Sequence, residues 1–304
     1  MNFELSRRSF LKNSLKAGLA TCALGAVTNP LGAIEPLNRP GKPRFMLSLA
    51  AYSFRDSFVS TEPAGKLDLF QFIDYCADHG CDGTELTSYY FPKNLTQEFL
   101  LKIKRHVYLR GMAISGTAVG NNFALPPGEK RNEQIALVKK WIDHSAVMGA
   151  PHIRVFAGPI PKSISEAEAR GFCISALEEC CDYAGSKGVF LGLENHGGIV
   201  AEADGLLAIV KAVQSPWIGI NLDTGNFHTK DPYGDLERCA PYAVNVQFKV
   251  NLRQDGKKKG ADFPKLFDML KRANYQGYVA LEYEAAEDPW KAIPELLKQM
   301  KQLL

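Results

Sequence analysis

From residue 44 onward, a short β-rich apolar run is followed by a stretch of helical apolar spacing, and the pair recurs eight times. That alternation constrains the fold more than any other feature, because strands separated by helices pair in parallel through crossover connections. The predicted strands are 45–53, 83–86, 113–117, 152–157, 189–194, 218–223, 243–249 and 278–284. The predicted helices are 68–79, 97–110, 132–148, 166–187, 204–213, 235–240, 263–272 and 289–303. Near-continuous apolar strands imply burial on both faces, as in a parallel sheet. Arg110-Gly111 and Lys187-Gly188 suit left-handed helix caps before the next strand. After the first strand comes Ser53-Phe54-Arg55-Asp56, not a Gly-rich phosphate loop, which argues against an open dinucleotide-binding sheet. The fold class predicted is α/β, a single (β/α)8 TIM barrel over 44–304.

The segment ahead of it reads differently. Arg7-Arg8 precedes a weakly hydrophobic, Gly- and Ala-rich run from Leu15 to Val27, the pattern of a twin-arginine signal over residues 1–33. This makes the twin-arginine export machinery a partner and the periplasm the expected location. The run is too short for a stable transmembrane span. Ala23-Leu24-Gly25 is a passable cleavage site. Leu19-Ala20-Thr21-Cys22 faintly resembles a lipoprotein box, with Thr before the Cys as the departure, so a lipid anchor on Cys22 is the weaker expectation. Residues 34–43, with Pro36, Pro40 and Pro43, read as an extended tether.

Charge and cysteine usage narrow the function. The chain has 36 Lys and Arg against 33 Asp and Glu, and residues 1–33 account for four of those cations and one acid. What remains balances, so neither nucleic acid nor an anionic membrane is an expected partner. The remaining cysteines, Cys76, Cys81, Cys173, Cys180, Cys181 and Cys239, form no CxxC pair and several lie in helical apolar patterns. Buried small hydrophobes are the favoured reading over a disulfide framework.

Barrel chemistry sits at the C-terminal ends of strands and in the loops beyond. Those positions hold Glu85; His152 and Arg154; Glu194, Asn195 and His196; Asp223, Asn226 and His228; Asn245, Gln247 and Lys249; and Glu282 and Glu284. Any one of these could cap a helix or join a structural polar network. Their convergence on one small mouth is what points to function. Crowded carboxylates repel unless a cation neutralises them, and an oxygen-rich donor set suits Mg²⁺ or Mn²⁺.

Leu193-Glu194-Asn195-His196, Asn221-Leu222-Asp223-Thr224-Gly225-Asn226 and Val279-Ala280-Leu281-Glu282-Tyr283 resemble the sugar isomerase/epimerase superfamily of xylose-isomerase-like TIM barrels. The resemblance spans about 44–300. It implies one divalent ion, Mn²⁺ before Mg²⁺, Co²⁺ or Zn²⁺, with Glu194, Asp223, Gln247 and Glu282 as ligands. It also implies Glu194 and Glu282 as the proton-transferring pair. Substrate would be bound by Glu85, Arg154, His196, Asn226, Lys249 and Arg253. The chain departs from the pattern at Gln247 and Asn226, where the superfamily usually and often, respectively, has His. Gln can ligate a hard cation, but more weakly than imidazole ligates Mn²⁺. The superfamily's three-zinc apurinic endonucleases need more His ligands and a basic face, which this chain lacks.

The expected activity is isomerisation or epimerisation of a sugar or keto-sugar through proton abstraction next to a carbonyl. The alternatives are a lyase or dehydratase expelling a β-substituent, and a non-catalytic sugar-binding barrel. Export favours a free sugar, polyol or oxidised glycoside over a sugar phosphate. Loop aromatics Phe54, Phe58, Phe123 and Phe156 either stack on the sugar or cover the mouth. Oligomeric state, a homo-oligomer included, is left open.

Overall fold

A computed structural model describes residues 34–62 and 66–304. The expected export signal, with Arg7, Arg8 and Cys22, lies outside the described residues. Eight parallel strands close on themselves in the order β1-β10-β7-β6-β5-β4-β3-β2. They are β1 (Arg44–Ala50), β2 (Gly83–Thr87), β3 (Ala113–Ala118), β4 (His152–Val155), β5 (Phe190–Glu194), β6 (Ile218–Asp223), β7 (Ala243–Phe248) and β10 (Gln276–Leu281). Every predicted barrel strand is present. Between β7 and β10 lies an antiparallel hairpin, β8 (Asn251–Gln254) and β9 (Lys257–Gly260), which was not predicted.

The helices that cover the barrel are those the apolar spacing predicts, within a few residues. The longest are Glu129–Met148 and Glu166–Lys187. Local chemistry sets their ends. Ser165 and Glu168 form a reciprocal capping box at the start of the second, and Gly188, at φ 70°, ends it in the left-handed region. The core lies between barrel and helices: Leu47, Leu49, Ile153, Leu191, Leu193, Ile220, Val246, Phe248 and Leu281 are fully buried outward-facing strand residues. All six cysteines of the barrel are buried and free, as the small-hydrophobe reading expects. Among the described residues no helix is long and apolar enough to cross a membrane.

Residues 34–43 form no helix or strand and are fastened to the barrel. The Ile34 and Leu37 amides donate to Lys211 and Pro241 carbonyls, and Asn274 and Gln276 side chains donate to the carbonyls of Arg39 and Pro40. The Arg39 guanidinium lies 5.0 Å from the Tyr275 ring centre and donates to the Ala243 carbonyl. Each of these contacts falls at a helix C-terminus or a strand N-terminus, so the segment crosses the end of the barrel opposite the active-site end.

Candidate active site

Side chains alternate along a strand, so a polar residue at every second position builds one polar line inside the barrel. On β7 and its extension that line is Asn245, Gln247 and Lys249, while Val246 and Phe248 between them pack outward. The same spacing aligns Asn221 with Asp223 on β6, His152 with Arg154 on β4, and Glu282 with Glu284 after β10. Two loop residues lock the strand ends together. The Asn195 side chain accepts from the Asp223 amide and donates to its carbonyl, both at 2.9 Å. Thr224 donates its amide to the Gln247 carbonyl and accepts the Lys249 amide on Oγ1, again at 2.9 Å.

Eight of the ten expected site residues touch another of them, and a ninth, His196, lines the same cavity. They form two layers. In the deeper one, Glu85 accepts from Asn245 Nδ2 at 2.7 Å and from Gln247 Nε2 at 2.5 Å. Gln247 Oε1 accepts from Asn221 Nδ2 at 2.7 Å, and Asn221 Oδ1 accepts from Asn245 Nδ2 at 2.8 Å, closing a ring of four side chains. Burial, with the nearby Glu282 charge, pushes the Glu85 carboxyl up to about 7, against the pull of its two amide donors.

The upper layer carries the charges. Glu194 Oε2 lies 2.9 Å from Arg154 Nε, an ion pair rather than an aligned hydrogen bond, and its Oε1 accepts from Asn226 Nδ2 at 2.9 Å. Burial raises Glu194 to about 7, opposed by the Arg154 guanidinium. Lys249 Nζ donates to Glu282 Oε2 at 2.8 Å and Glu284 Oε1 at 2.9 Å, and lies 3.3 Å from Asp223 Oδ2. Burial works against its charge, but these three carboxylates outweigh burial and hold the ammonium protonated well above its ordinary range.

Three adjoining cavities of about 600, 280 and 330 Å³ form one open mouth: Asn226 lines all three, and His196, His228, Lys249 and Glu284 each line two of them. The 330 Å³ cavity contains the chemistry: Arg154, Glu194, Lys249 and Glu282 line it together with Tyr52, Tyr89 and Phe156. Phe156 carries the Arg154 guanidinium 3.8 Å from its ring centre and packs on His196 at 4.6 Å. Of the four loop aromatics, Phe54 and Phe123 are fully buried core, Phe58 stacks on Tyr90, and only Phe156 reaches this cavity. Arg253 stands apart, exposed on β8 at the rim of the 280 Å³ cavity beside Lys258. Tyr52, Tyr89 and Glu284 were not singled out as binding residues from sequence; each lies two or three residues past its strand, in the loop position barrel sites use.

The donor set does not fit a divalent ion. Such an ion needs several oxygens or nitrogens free to approach within about 2.0–2.6 Å. Gln247 Oε1 is taken by Asn221, both Glu194 oxygens face Asn226 and Arg154, and Asp223 and Glu282 surround Lys249. Among the described residues no group of three or more His, Cys, Asp and Glu side chains could hold a metal. The arrangement instead offers two fixed cations and two flanking carboxylates to an oxygen-rich substrate.

Comparison with known proteins agrees with the architecture. The putative hydroxypyruvate isomerase of Xenopus laevis is 24% identical over 229 residues, 68% of this chain and 82% of that protein. The crystal structure of 3-keto-D-glucoside 4-epimerase from E. coli superposes with a TM-score of 0.68 at 17% identity, over 85% of this chain and all of the other. D-psicose 3-epimerase from Clostridium cellulolyticum H10, with D-tagatose, gives 0.67 at 15% identity, over 83% and 89% of the two chains. The profile of the xylose isomerase-like TIM barrel matches residues 73–302, and the chain belongs to that family.

Proposed function

We propose that this protein is an isomerase or epimerase of a sugar or keto-sugar, acting by proton transfer next to a carbonyl. One observation carries the reading: Glu194 and Glu282, three strands apart around the ring, line the same 330 Å³ cavity as Lys249 and Arg154. A base and its conjugate acid on two sides of a carbon, with cations at the oxygen where charge develops, is the arrangement enediolate chemistry needs. The named activities of the relatives, a hydroxypyruvate isomerase and sugar 3- and 4-epimerases, support the same reaction class.

Glu194 is the better base at neutral pH, since burial raises it to about 7, close to the working pH at which a carboxylate accepts a proton and releases it again. Asn226 and Arg154 hold both its oxygens in place. Lys249 has two aligned hydrogen bonds, to Glu282 and Glu284, which leaves one ammonium hydrogen for a substrate oxygen. In the isomer route Glu194 hands the same proton to the neighbouring carbon while the hydroxyl proton passes to the carbonyl oxygen; in the epimer route Glu282, protonated from solvent, donates a proton to the opposite face while Glu194 keeps the one it removed. Tyr52, Tyr89 and Phe156 supply the apolar faces and hydroxyls that would hold a sugar ring. If the protein is exported as its first residues suggest, a free sugar or oxidised glycoside fits better than a phosphate ester.

The test is proton NMR in D₂O with a panel of free ketoses, aldoses and 3-keto-glycosides, with and without Mn²⁺. Exchange at the carbon next to the carbonyl, lost in Glu194→Gln, is expected. Loss of a β-substituent with the exchange would make the protein a lyase. An absence of exchange across the panel under both conditions would overturn the enzymatic reading and leave a sugar-binding barrel.

A further inference from the structure

The site holds five carboxylates, Glu85, Glu194, Asp223, Glu282 and Glu284, all but Glu284 at most 7% exposed. A cluster of this kind needs a cation. The family resemblance supplies one in the form of a divalent ion held by four of the strand ends. In this chain each of those four strand-end groups already has another partner, and the partners form a pattern. Asp223 and Glu282, the two acids flanking β7, both face Lys249 Nζ, at 3.3 and 2.8 Å. Glu194 faces the Arg154 guanidinium. Gln247, where a neutral donor would be needed, is turned into the deeper ring, its oxygen on Asn221 and its amide on Glu85.

Lys249 is not a surface lysine that happens to lean inward. It is 8% exposed, its backbone amide is fixed on Thr224 Oγ1, and Thr224 is in turn fixed on the Gln247 carbonyl. A Cβ on Gly225 would lie 2.5 Å from Lys249 Cγ and 2.8 Å from its Cβ, so the absence of a side chain at Gly225 is what gives the lysine stem its path. The stem runs through a space kept for it, and the head ends between three carboxylates. A divalent ion bound to Asp223 and Glu282 would be forced against that ammonium, with like-charge repulsion and no free fourth ligand.

We propose that the Lys249 ammonium is the resident cation of this active site and stands in for the divalent ion, so that the protein works without a bound metal. A tethered ammonium differs from an ion in being singly charged and non-exchangeable, and in acting on a substrate oxygen through a hydrogen bond. The second positive charge comes from Arg154, on the opposite side of the cavity. The proposal rests on the sugar isomerase reading only for what Lys249 does to substrate; the absence of a metal is testable without any substrate.

The experiment uses the full chain expressed in Mn²⁺- and Zn²⁺-supplemented medium. Metal content is measured by mass spectrometry, and Mn²⁺ is titrated calorimetrically and by electron paramagnetic resonance into wild type, Lys249→Met and Lys249→Arg. Expected are well below one equivalent of metal in wild type and no stoichiometric Mn²⁺ binding in wild type or Lys249→Arg. Lys249→Met, which leaves the acids unneutralised, should bind Mn²⁺ at least about tenfold more tightly than wild type. One equivalent of tightly held metal in wild type overturns the proposal even if neither variant folds, and so does a folded Lys249→Met with no gain in Mn²⁺ affinity. A metal-free protein that exchanges no substrate proton would instead defeat the functional reading alone, and a metal-loaded protein that does exchange would defeat this one alone.

Discussion

Acid should unfold this barrel partly through one buried imidazole. His152 lies on β4 two residues before Arg154, is 3% exposed, and its Nε2 is buried with no hydrogen-bond partner. Burial lowers it from an ordinary 6.5 to about 4, against a hydrogen bond donated to the Ser115 backbone that favours the charged form. Above pH 6.5 the ring is neutral folded or unfolded and contributes nothing to pH dependence. As pH falls below 6.5 only the unfolded chain takes up the proton, so stability is lost progressively until about pH 4, where the folded protein protonates too. Integrated between pH 7.5 and 4.5, the loss is about 2.5 kcal/mol. Other groups titrate in this window: Glu85 and Glu194, raised to about 7, stabilise the protein as pH falls, opposing His152. Comparison with His152→Gln removes them, because they are common to both proteins. Reversible urea unfolding at the two pH values should show wild type losing about 2.5 kcal/mol more than the variant. Equal pH dependence in the two proteins, within about 0.5 kcal/mol, would refute the assignment of a depressed, unsolvated imidazole.

Glu282→Gln should lower kcat by about 10²-fold or more with little change in melting temperature, because Lys249 keeps Glu284 and Asp223. Glu194→Gln should cost activity and also on the order of 2–3 kcal/mol of stability by calorimetry, since it strips buried Arg154 of its counter-charge. If Glu194 is the base, kcat/KM measured against pH rises with pH through about 7 and is flat above, since only the ionised carboxylate accepts a proton. Gln247→Leu orphans one oxygen of Glu85 and the amide of Asn221, and should shift the urea midpoint by the equivalent of about 2–4 kcal/mol. Gly116→Ala would place a Cβ 1.9 Å from the His152 ring; a loss of about 1–3 kcal/mol is expected, largely recovered in the Gly116→Ala, His152→Ala double variant.

The barrel was legible because parallel strands buried on both faces leave apolar runs, and the covering helices leave a second period between them. The hairpin was not, because Lys257-Lys258-Lys259 is exposed on a two-stranded ribbon and has no buried face to impose alternation. Its turn did leave a trace: Asp255-Gly256, at φ 51° and 72°, is the dipeptide a tight hairpin requires. The site acids were legible one by one from their places at strand ends. Their pairing was not. Glu85 meets Gln247 across 162 residues, and whether a Gln oxygen faces the mouth or the ring below depends on strand register. The register shifts at Thr84/Glu85 and Ile220/Asn221 adjust it in the two strands that supply Glu85 and Asn221. Lys249 was read as a group that orients substrate hydroxyls; the three carboxylates around it come from β6 and the loop after β10, which no local pattern brings together.

The fastening of residues 34–41 across the floor of the barrel has a practical corollary for orientation. The final helix, Pro289–Lys301, also finishes on that floor. Both segments therefore meet the barrel on the same side. The cavity lined by Tyr52 and Tyr89 lies at the opposite end of the strands from both.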